Sequence, residues 1–250
     1  MFIKKIIEKI GPAFYYNKIN GYCSICEEAT SFVSIHNYLR DNLTCSKCKS
    51  LPRERAIMQV INEYIPNWKS LKIHESSPID RGISPKIKKQ ATAYSSSQYY
   101  PNEPSGEVIN GFRNENLEEL TFNDNSFDLI ITQDVFEHLY NPEKAFNEIS
   151  RVLKKGGFHI FTLPLINHFN KTQKNAVVNA NGEVEFLIKE EYHGNPVDKK
   201  GSAVTYHWGS DIIDIIRNST NGDETTIRVI EDMGKGISGE LIEVFVTRKE

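Results

Sequence analysis

Residues 127–162 read FDLIITQDVFEHLYNPEKAFNEISRVLKKGGFHIFT, and this stretch decides the fold. Phe127 to Thr132 is a near-continuous apolar run, the pattern of a strand buried on both faces of a parallel sheet. Helix punctuation follows. Asn141 suits an N-cap, Pro142 the first helical position and Glu143 the positive helix end, while Ala145, Ile149, Val152 and Leu153 share one face. Gly156-Gly157 is expected to end that helix, and Phe158 to Thr162 to return as a second buried strand. The three pieces make a βαβ unit with a right-handed crossover. Such units build open α/β sheets whose ligands sit beyond the carboxyl ends of the strands.

On either side of this unit the chain alternates in the same way. Leu71 to His74 and Ala91 to Tyr94 are further strand candidates, so the ligand-bearing loops are expected to start at Glu75, Ser95, Thr132 and Leu163. Leu241 to Thr247 alternates as a strand and would close the sheet as an antiparallel edge. Ala56, Ile57, Val60, Ile61 and Tyr64 recur at helical spacing behind Leu51-Pro52, which predicts a helix to about Ile65, stopped by Pro66. Asp211 before Ile212, Ile213, Ile215 and Ile216 reads as an N-cap and an amphipathic helix.

The whole chain has 250 residues, 39% hydrophobic and 25% charged, which fits one large domain with a small appendage and excludes disordered, collagenous and coiled-coil classes. With 30 Lys+Arg against 33 Asp+Glu, the net charge of -3 gives no long-range pull toward phosphate backbones or anionic lipid. A nucleic-acid partner is therefore not expected, nor is a membrane span, and the opening residues Met1 to Glu8 lack the long apolar run of a secretory leader. A cytoplasmic location is the expectation. All four cysteines fall between Cys23 and Cys48, and in a reducing compartment such a cluster argues for metal.

Cys23-Ser-Ile-Cys26 and Cys45-Ser-Lys-Cys48 are two CxxC pairs with 18 residues between them, the spacing of tetrathiolate zinc sites. Ser31 to Ile35 alternates as a strand that brings the second turn back to the first. Four thiolates fill a tetrahedral zinc and leave no position for water, so Cys23, Cys26, Cys45 and Cys48 are expected to hold a structural Zn2+. Lys47, Lys49, Arg53 and Arg55 cluster after the second pair, as a solvated helix start or as phosphate contacts.

The run from Asn116 through Leu139, then Asn141-Pro142, then Glu148 to Pro164, resembles the second half of the class I S-adenosylmethionine-dependent methyltransferase domain. The paired CxxC turns upstream are similar to a bacterial subgroup of that family. The resemblance implies an α/β fold, a Rossmann-like seven-stranded methyltransferase sheet with a small N-terminal zinc-ribbon-like module. Residues 1–50 would carry the module, 51–69 the linking helix and 70–250 the methyltransferase domain, with an acceptor-loop insertion at about 165–210.

The resemblance also places the cofactor. Glu75-Ser76-Ser77-Pro78 would occupy the nucleotide-binding loop, where the family has glycines that let the cofactor lie close to the backbone. Here the first glycine is delayed to Gly82, and the hydroxyls of Ser76 and Ser77 would donate to the cofactor carboxylate. Arg81 would pair with that carboxylate or be a surface arginine. After the second strand no acidic residue is available for the ribose, leaving Ser97 or Gln98 to accept one hydroxyl bond. Asn116 would read the adenine amino group and the Leu117 amide a ring nitrogen. Gln133 and Asp134 would border the methionine part, Asp134 being equally an N-cap for the next turn.

Methyl transfer from a sulfonium is an in-line displacement, so positioning dominates and a base matters only when a proton must leave. His138 either faces the acceptor or is satisfied by a backbone carbonyl. His193 is preferred to His207 as the acceptor-side base, because Gly194 and Pro196 shape its loop. Aromatic and histidine-rich loops suit polar, ring-shaped acceptors. The leading expectation is a small-molecule or glycan methyltransferase, its acceptor a sugar hydroxyl. The alternatives are a zinc-ribbon RNA base methyltransferase and a non-catalytic interaction protein with this fold.

Overall fold

The computed structural model describes residues 17–195, 197–220 and 222–250. The opening residues Met1 to Glu8 and Pro196 of the His193 loop lie outside the described residues. Among the described residues no helix is long and apolar enough to cross a membrane.

An antiparallel ribbon comes first, made of β1 (Asn17–Cys23), β2 (Glu28–Ser34) and β3 (Thr44–Cys45). Helix α1 (Pro52–Tyr64) leads into an alternation of β4 (Lys72–Ser76), α2 (Ile83–Gln90) and β5 (Ala93–Gln98). A hairpin of β6 (Val108–Ile109) and β7 (Phe112–Asn114) precedes β8 (Phe127–Gln133), α3 (Pro142–Val152) and β9 (Leu153–Thr162). The insertion holds six short strands, β10 (Gln173–Lys174), β11 (Ala176–Val178), β12 (Val184–Phe186), β13 (Tyr192–His193), β14 (Ser202–Ala203) and β15 (Tyr206–His207). The chain then runs through α4 (Ile212–Ser219), β16 (Glu224–Arg228) and β17 (Val244–Arg248).

The central sheet has the order β16-β17-β9-β8-β4-β5-β7-β6. Pairings from β9 through β8, β4 and β5 to β7 are parallel, and β17 runs antiparallel to β9. Seven of these strands give the expected Rossmann-like sheet. The eighth is the two-residue β6, added because residues 108–114 fold back as a hairpin on β7. The C-terminal strand is not the edge: β16 pairs with all five residues of β17 and lies outside it. Four of those five β17 residues are buried, and an apolar strand of that kind needs a neighbour on each side.

The βαβ unit is built as its sequence implies, with one shift. Asn141 accepts a bond from the Lys144 amide at 3.2 Å and Pro142 opens the helix. The helix stops at Val152, however, and β9 begins at once with Leu153. The glycine pair lies within the strand, where Gly156 takes a left-handed φ of 75° near a break in register with β8. Asp211 does not cap α4 with its side chain. Its carboxylate accepts from the Thr172 amide at 2.8 Å and hydroxyl at 2.7 Å, fastening the insertion to the helix.

The ribbon shares the main core. Cys23, Phe32 and Cys45 pack in one apolar cluster with Ile57 and Ile61 of α1, Ile73 and Leu129 of the sheet, and Val244 of β17. Arg55, fully buried, ties the pieces together: it donates to the carbonyls of Ser50, Leu43 (2.8 Å) and Gly236, and stacks 4.5 Å over the Phe32 ring. Of the four basic residues in and after the second CxxC pair, Lys49 stays exposed, donating to the Ser46 carbonyl at 3.1 Å, and the other three are paired or buried. Arg55 is inside, Arg53 pairs with Asp41 and Asp134, and Lys47 with Glu28.

Candidate functional site

A cleft of about 1220 Å³ opens at the carboxyl ends of β4, β5, β8 and β9. Ribbon residues Tyr38, Arg40 and Asp41 border one end, and the hairpins of the insertion border the other. The volume exceeds the roughly 300–1,000 Å³ typical of a single small-ligand site and leaves space for a cofactor beside an acceptor.

The loop after β4 keeps the cleft open without the usual glycines. Ser76, Ser77 and Ile79 line it, and Ser77 adopts a left-handed φ of 56° that turns the chain away. Glu75 does not line it, which corrects the expectation. Its buried carboxylate accepts from Ser84 at 2.6 Å, Tyr94 at 2.8 Å and Gln133 at 2.9 Å, and burial raises its pKa against those three bonds. Glu75 thus locks strand ends together. Gln133 does line the cleft, and its buried amide oxygen has no partner among the described residues. Such an orphan acceptor fits a donor such as the amino group of a bound cofactor.

Ser97 is also corrected. It is buried, and its hydroxyl meets His74 Nε2 at 3.1 Å, while Ser95 meets His74 Nδ1 at 3.0 Å. The central strands hold a second buried histidine, His159, whose Nε2 lies 3.0 Å from the Thr132 hydroxyl. Burial lowers the pKa of each to about 3. Side chains at the end of β5 that do reach the cleft are Gln98 and Tyr99, whose ring is half-exposed. Asn116 and Leu117 line the adjoining wall. The Asn116 side-chain oxygen already accepts from the Glu118 amide at 3.0 Å, which leaves it one lone pair for a ligand.

Arg81 and Asp134 line the cleft as well, but their charges are committed to the N-terminal elements. Arg81 pairs with the buried carboxylate of Glu54 on α1. That carboxylate also accepts from the Leu51 amide at 2.7 Å, and it sits where a Cβ on residue 82 would be, 2.2 Å from the position. The delayed glycine therefore serves α1 and not the cofactor. Its amide donates to the Cys48 carbonyl at 3.1 Å, joining the loop to the cysteine cluster. Asp134 accepts from Arg40 and Arg53, both at 2.8 Å, and from the Thr162 hydroxyl at 2.9 Å. Burial would raise its pKa, but the two guanidinium groups hold it below the usual range. It does not cap the turn at Phe136–His138.

The two histidines expected on the acceptor side come together. His138 and His193 meet edge to face at 5.2 Å between ring centroids. His138 Nδ1 lies 2.9 Å from the Ala203 carbonyl oxygen, the backbone satisfaction weighed in the sequence, and the residue also lines the cleft. The sequence reading passed over two carboxylates here. Buried Glu137 lies 3.8 Å from each histidine, and Glu191 lies 3.5 Å from His193 and 2.8 Å from His207. The Glu137 carboxylate, against the effect of partial burial, raises the His193 pKa. Glu137 was visible as the neighbour of His138, whereas Glu191 became meaningful only once β13 and β14 folded over the cleft.

The four cysteines lie within 4.8 Å of one another, with Cys23 and Cys48 sulfurs 3.8 Å apart and Cys26 and Cys45 likewise 3.8 Å. Sulfurs at about 2.3 Å from a tetrahedral zinc are about 3.8 Å apart, so the cluster fits the ion as it stands.

Residues 83–161 match the family described as methyltransferase domain. That match covers about a third of the chain and runs from α2 into β9 on the Rossmann-like sheet described above. A curated relative, the sarcosine/dimethylglycine N-methyltransferase of Halorhodospira halochloris, is 44% identical over 49 residues, 20% of this chain. The match spans only 18% of that relative's length. Among solved structures, an S-adenosylmethionine-dependent methyltransferase from Mesorhizobium loti is similar at 14% identity and a TM-score of 0.49, covering 78% of this chain and 98% of that one. The 1,6-didemethyltoxoflavin-N1-methyltransferase of Burkholderia thailandensis, with S-adenosylhomocysteine bound, is similar at 10% identity and a TM-score of 0.47, covering 79% and 78%.

Proposed function

We propose that the chain is an S-adenosylmethionine-dependent methyltransferase acting on a small-molecule or glycan acceptor through a hydroxyl, such as that of a sugar, and that a structural zinc on Cys23, Cys26, Cys45 and Cys48 holds its ribbon. The observation that carries this reading is the single cleft, which runs from Ser76, Ser77 and Gln133 to the Glu137, His138 and His193 corner. Bound S-adenosylmethionine supplies an electrophilic methyl group. Ser76 and Ser77 hold its carboxylate, the free Gln133 oxygen its amino group, and Asn116 and Leu117 its adenine. Gln98 takes a ribose hydroxyl and Tyr99 offers a ring face for stacking.

At the other end His138 and His193 orient the acceptor, with Tyr192 alongside, where the hairpins of the insertion border the cleft. The curated relative is named for methylating sarcosine and dimethylglycine, acceptors of the small-molecule class. The RNA alternative is weakened by the fate of the basic residues, since Arg53 and Arg55 are consumed inside the fold.

Calorimetry with S-adenosylhomocysteine tests the reading. Saturable binding of one equivalent is expected, with thermal stabilisation growing with ligand concentration. Absence of both at saturating ligand would favour the non-catalytic reading. A mass-shift screen of nucleotide sugars, glycans and tRNA then separates the acceptor classes.

A further inference from the structure

Glu137 is buried to 1% exposure, yet nothing bonds to it in the way that burial requires. Its Oε1 lies 3.8 Å from His138 Nε2 and 3.8 Å from His193 Nδ1, beyond hydrogen-bond reach of either. Its Oε2 has no partner among the described residues. The histidine tautomers sharpen the mismatch. His138 Nδ1 faces the Ala203 carbonyl oxygen at 2.9 Å, and a carbonyl only accepts, so the proton sits on Nδ1 and the Nε2 lone pair points toward Glu137. His193 turns Nε2 to the Glu191 carboxylate at 3.5 Å and Nδ1 to Glu137, so an ion bound there would take the place of a proton on Nδ1. Two imidazole nitrogens and a carboxylate oxygen converge within 4.8 Å of one another.

A cation at their centre resolves this arrangement. We propose that Glu137, His138 and His193 bind a divalent first-row transition-metal ion, with its remaining positions open to the cleft for an oxygen of the acceptor. Two imidazoles and one carboxylate are the donor set of zinc, manganese, iron, cobalt or nickel, and not that of calcium or magnesium. The second nitrogen of each ring is backed by a carbonyl or a carboxylate, as metal-bound histidines are. Two of the three separations are 3.8 Å, within the roughly 3.4–4.2 Å expected of donors about 2.1 Å from a shared ion. His193, with its side chain 38% exposed on a two-residue strand, has room to close the third. The site depends on the methyltransferase reading only for the identity of the oxygen that it meets.

The test uses the full chain with its cysteine-bound metal in place, titrated with Co2+. One further equivalent is expected, giving d–d absorption without thiolate-to-cobalt charge transfer. His138→Ala, His193→Ala and Glu137→Gln should each weaken that uptake roughly tenfold or more, while His168→Ala leaves it unchanged. Glu137→Gln keeps the side-chain shape and serves where a histidine variant fails to fold. No further equivalent at millimolar Co2+, uptake showing only charge-transfer bands, or equal uptake by wild type and Glu137→Gln would overturn the site. S-adenosylhomocysteine binding, measured on the same wild-type sample, separates failure of this site from failure of the methyltransferase reading.

Discussion

The two walls of the cleft treat their charges in opposite ways. On the wall proposed for the cofactor Arg40, Arg53 and Arg81 are matched by Asp134, Asp41 and Glu54, and Glu75 behind it is bonded on both oxygens. On the wall proposed for the acceptor, Glu137, His138 and His193 face one another across gaps that none of them bridges. Pairing fixes position. A buried group without a partner is costly in stability and is what a ligand, proton or ion can use. The cofactor wall is thus built chiefly as architecture, braced from outside the sheet by the ribbon and α1, and the acceptor wall as chemistry.

Removing the brace should have the largest effect. Structural zinc contributes on the order of 10 kcal/mol in small tetrathiolate modules, and here the module is part of the main core. Chelation or Cys45→Ser is expected to cut zinc content, lower the melting temperature and abolish S-adenosylhomocysteine binding together. Binding that survives loss of the metal would separate the ribbon from the cofactor wall. Asp134→Asn comes next. It removes the more buried of the two carboxylates, Asp134 and Asp41, that the largely buried Arg40 and Arg53 share, and a loss of about 3–5 kcal/mol in denaturant unfolding is expected.

A third expectation sets the buried histidines of the strands against those of the cleft. His74 and His159 stay neutral in the fold down to about pH 3, whereas the unfolded chain protonates them near pH 6.5. Their lowered pKa means that stability is complete above about 6.5 and is lost as pH falls from there toward 3. The slope is up to about 1.4 kcal/mol per pH unit for each histidine, readable from urea unfolding across that window. Replacing His74 with Gln should flatten it. The smallest change in stability is expected from Glu137→Gln, within about 1 kcal/mol of wild type, because no bond is broken. That variant should nevertheless lose methyl transfer, and a large drop in stability with activity kept would erase the contrast between the walls.

Much of the scaffold was legible because its signals are local. Asn141-Pro142, the apolar run at 127–132 and the two CxxC pairs each report their own geometry within a few residues. The braces were not legible, since Arg40 meets Asp134 across 94 positions and Glu54 meets Arg81 across 27. Ser97 carried no sign that it faces a buried histidine, because strand alternation fixes a side but not which side is the core. Gly82 looked like a displaced cofactor glycine until the Glu54 carboxylate was seen filling its Cβ position. The insertion hairpins are made of strands two or three residues long, below the length at which periodicity can be read.

Amide hydrogen exchange of the zinc-loaded chain, with and without S-adenosylhomocysteine, tests most directly where the cofactor lies. Protection is expected to concentrate at Ser76 to Arg81, Gln98 to Tyr99, Asn116 to Leu117 and Gln133 to Asp134. Protection confined to other segments, or none at saturating ligand, would contradict that placement.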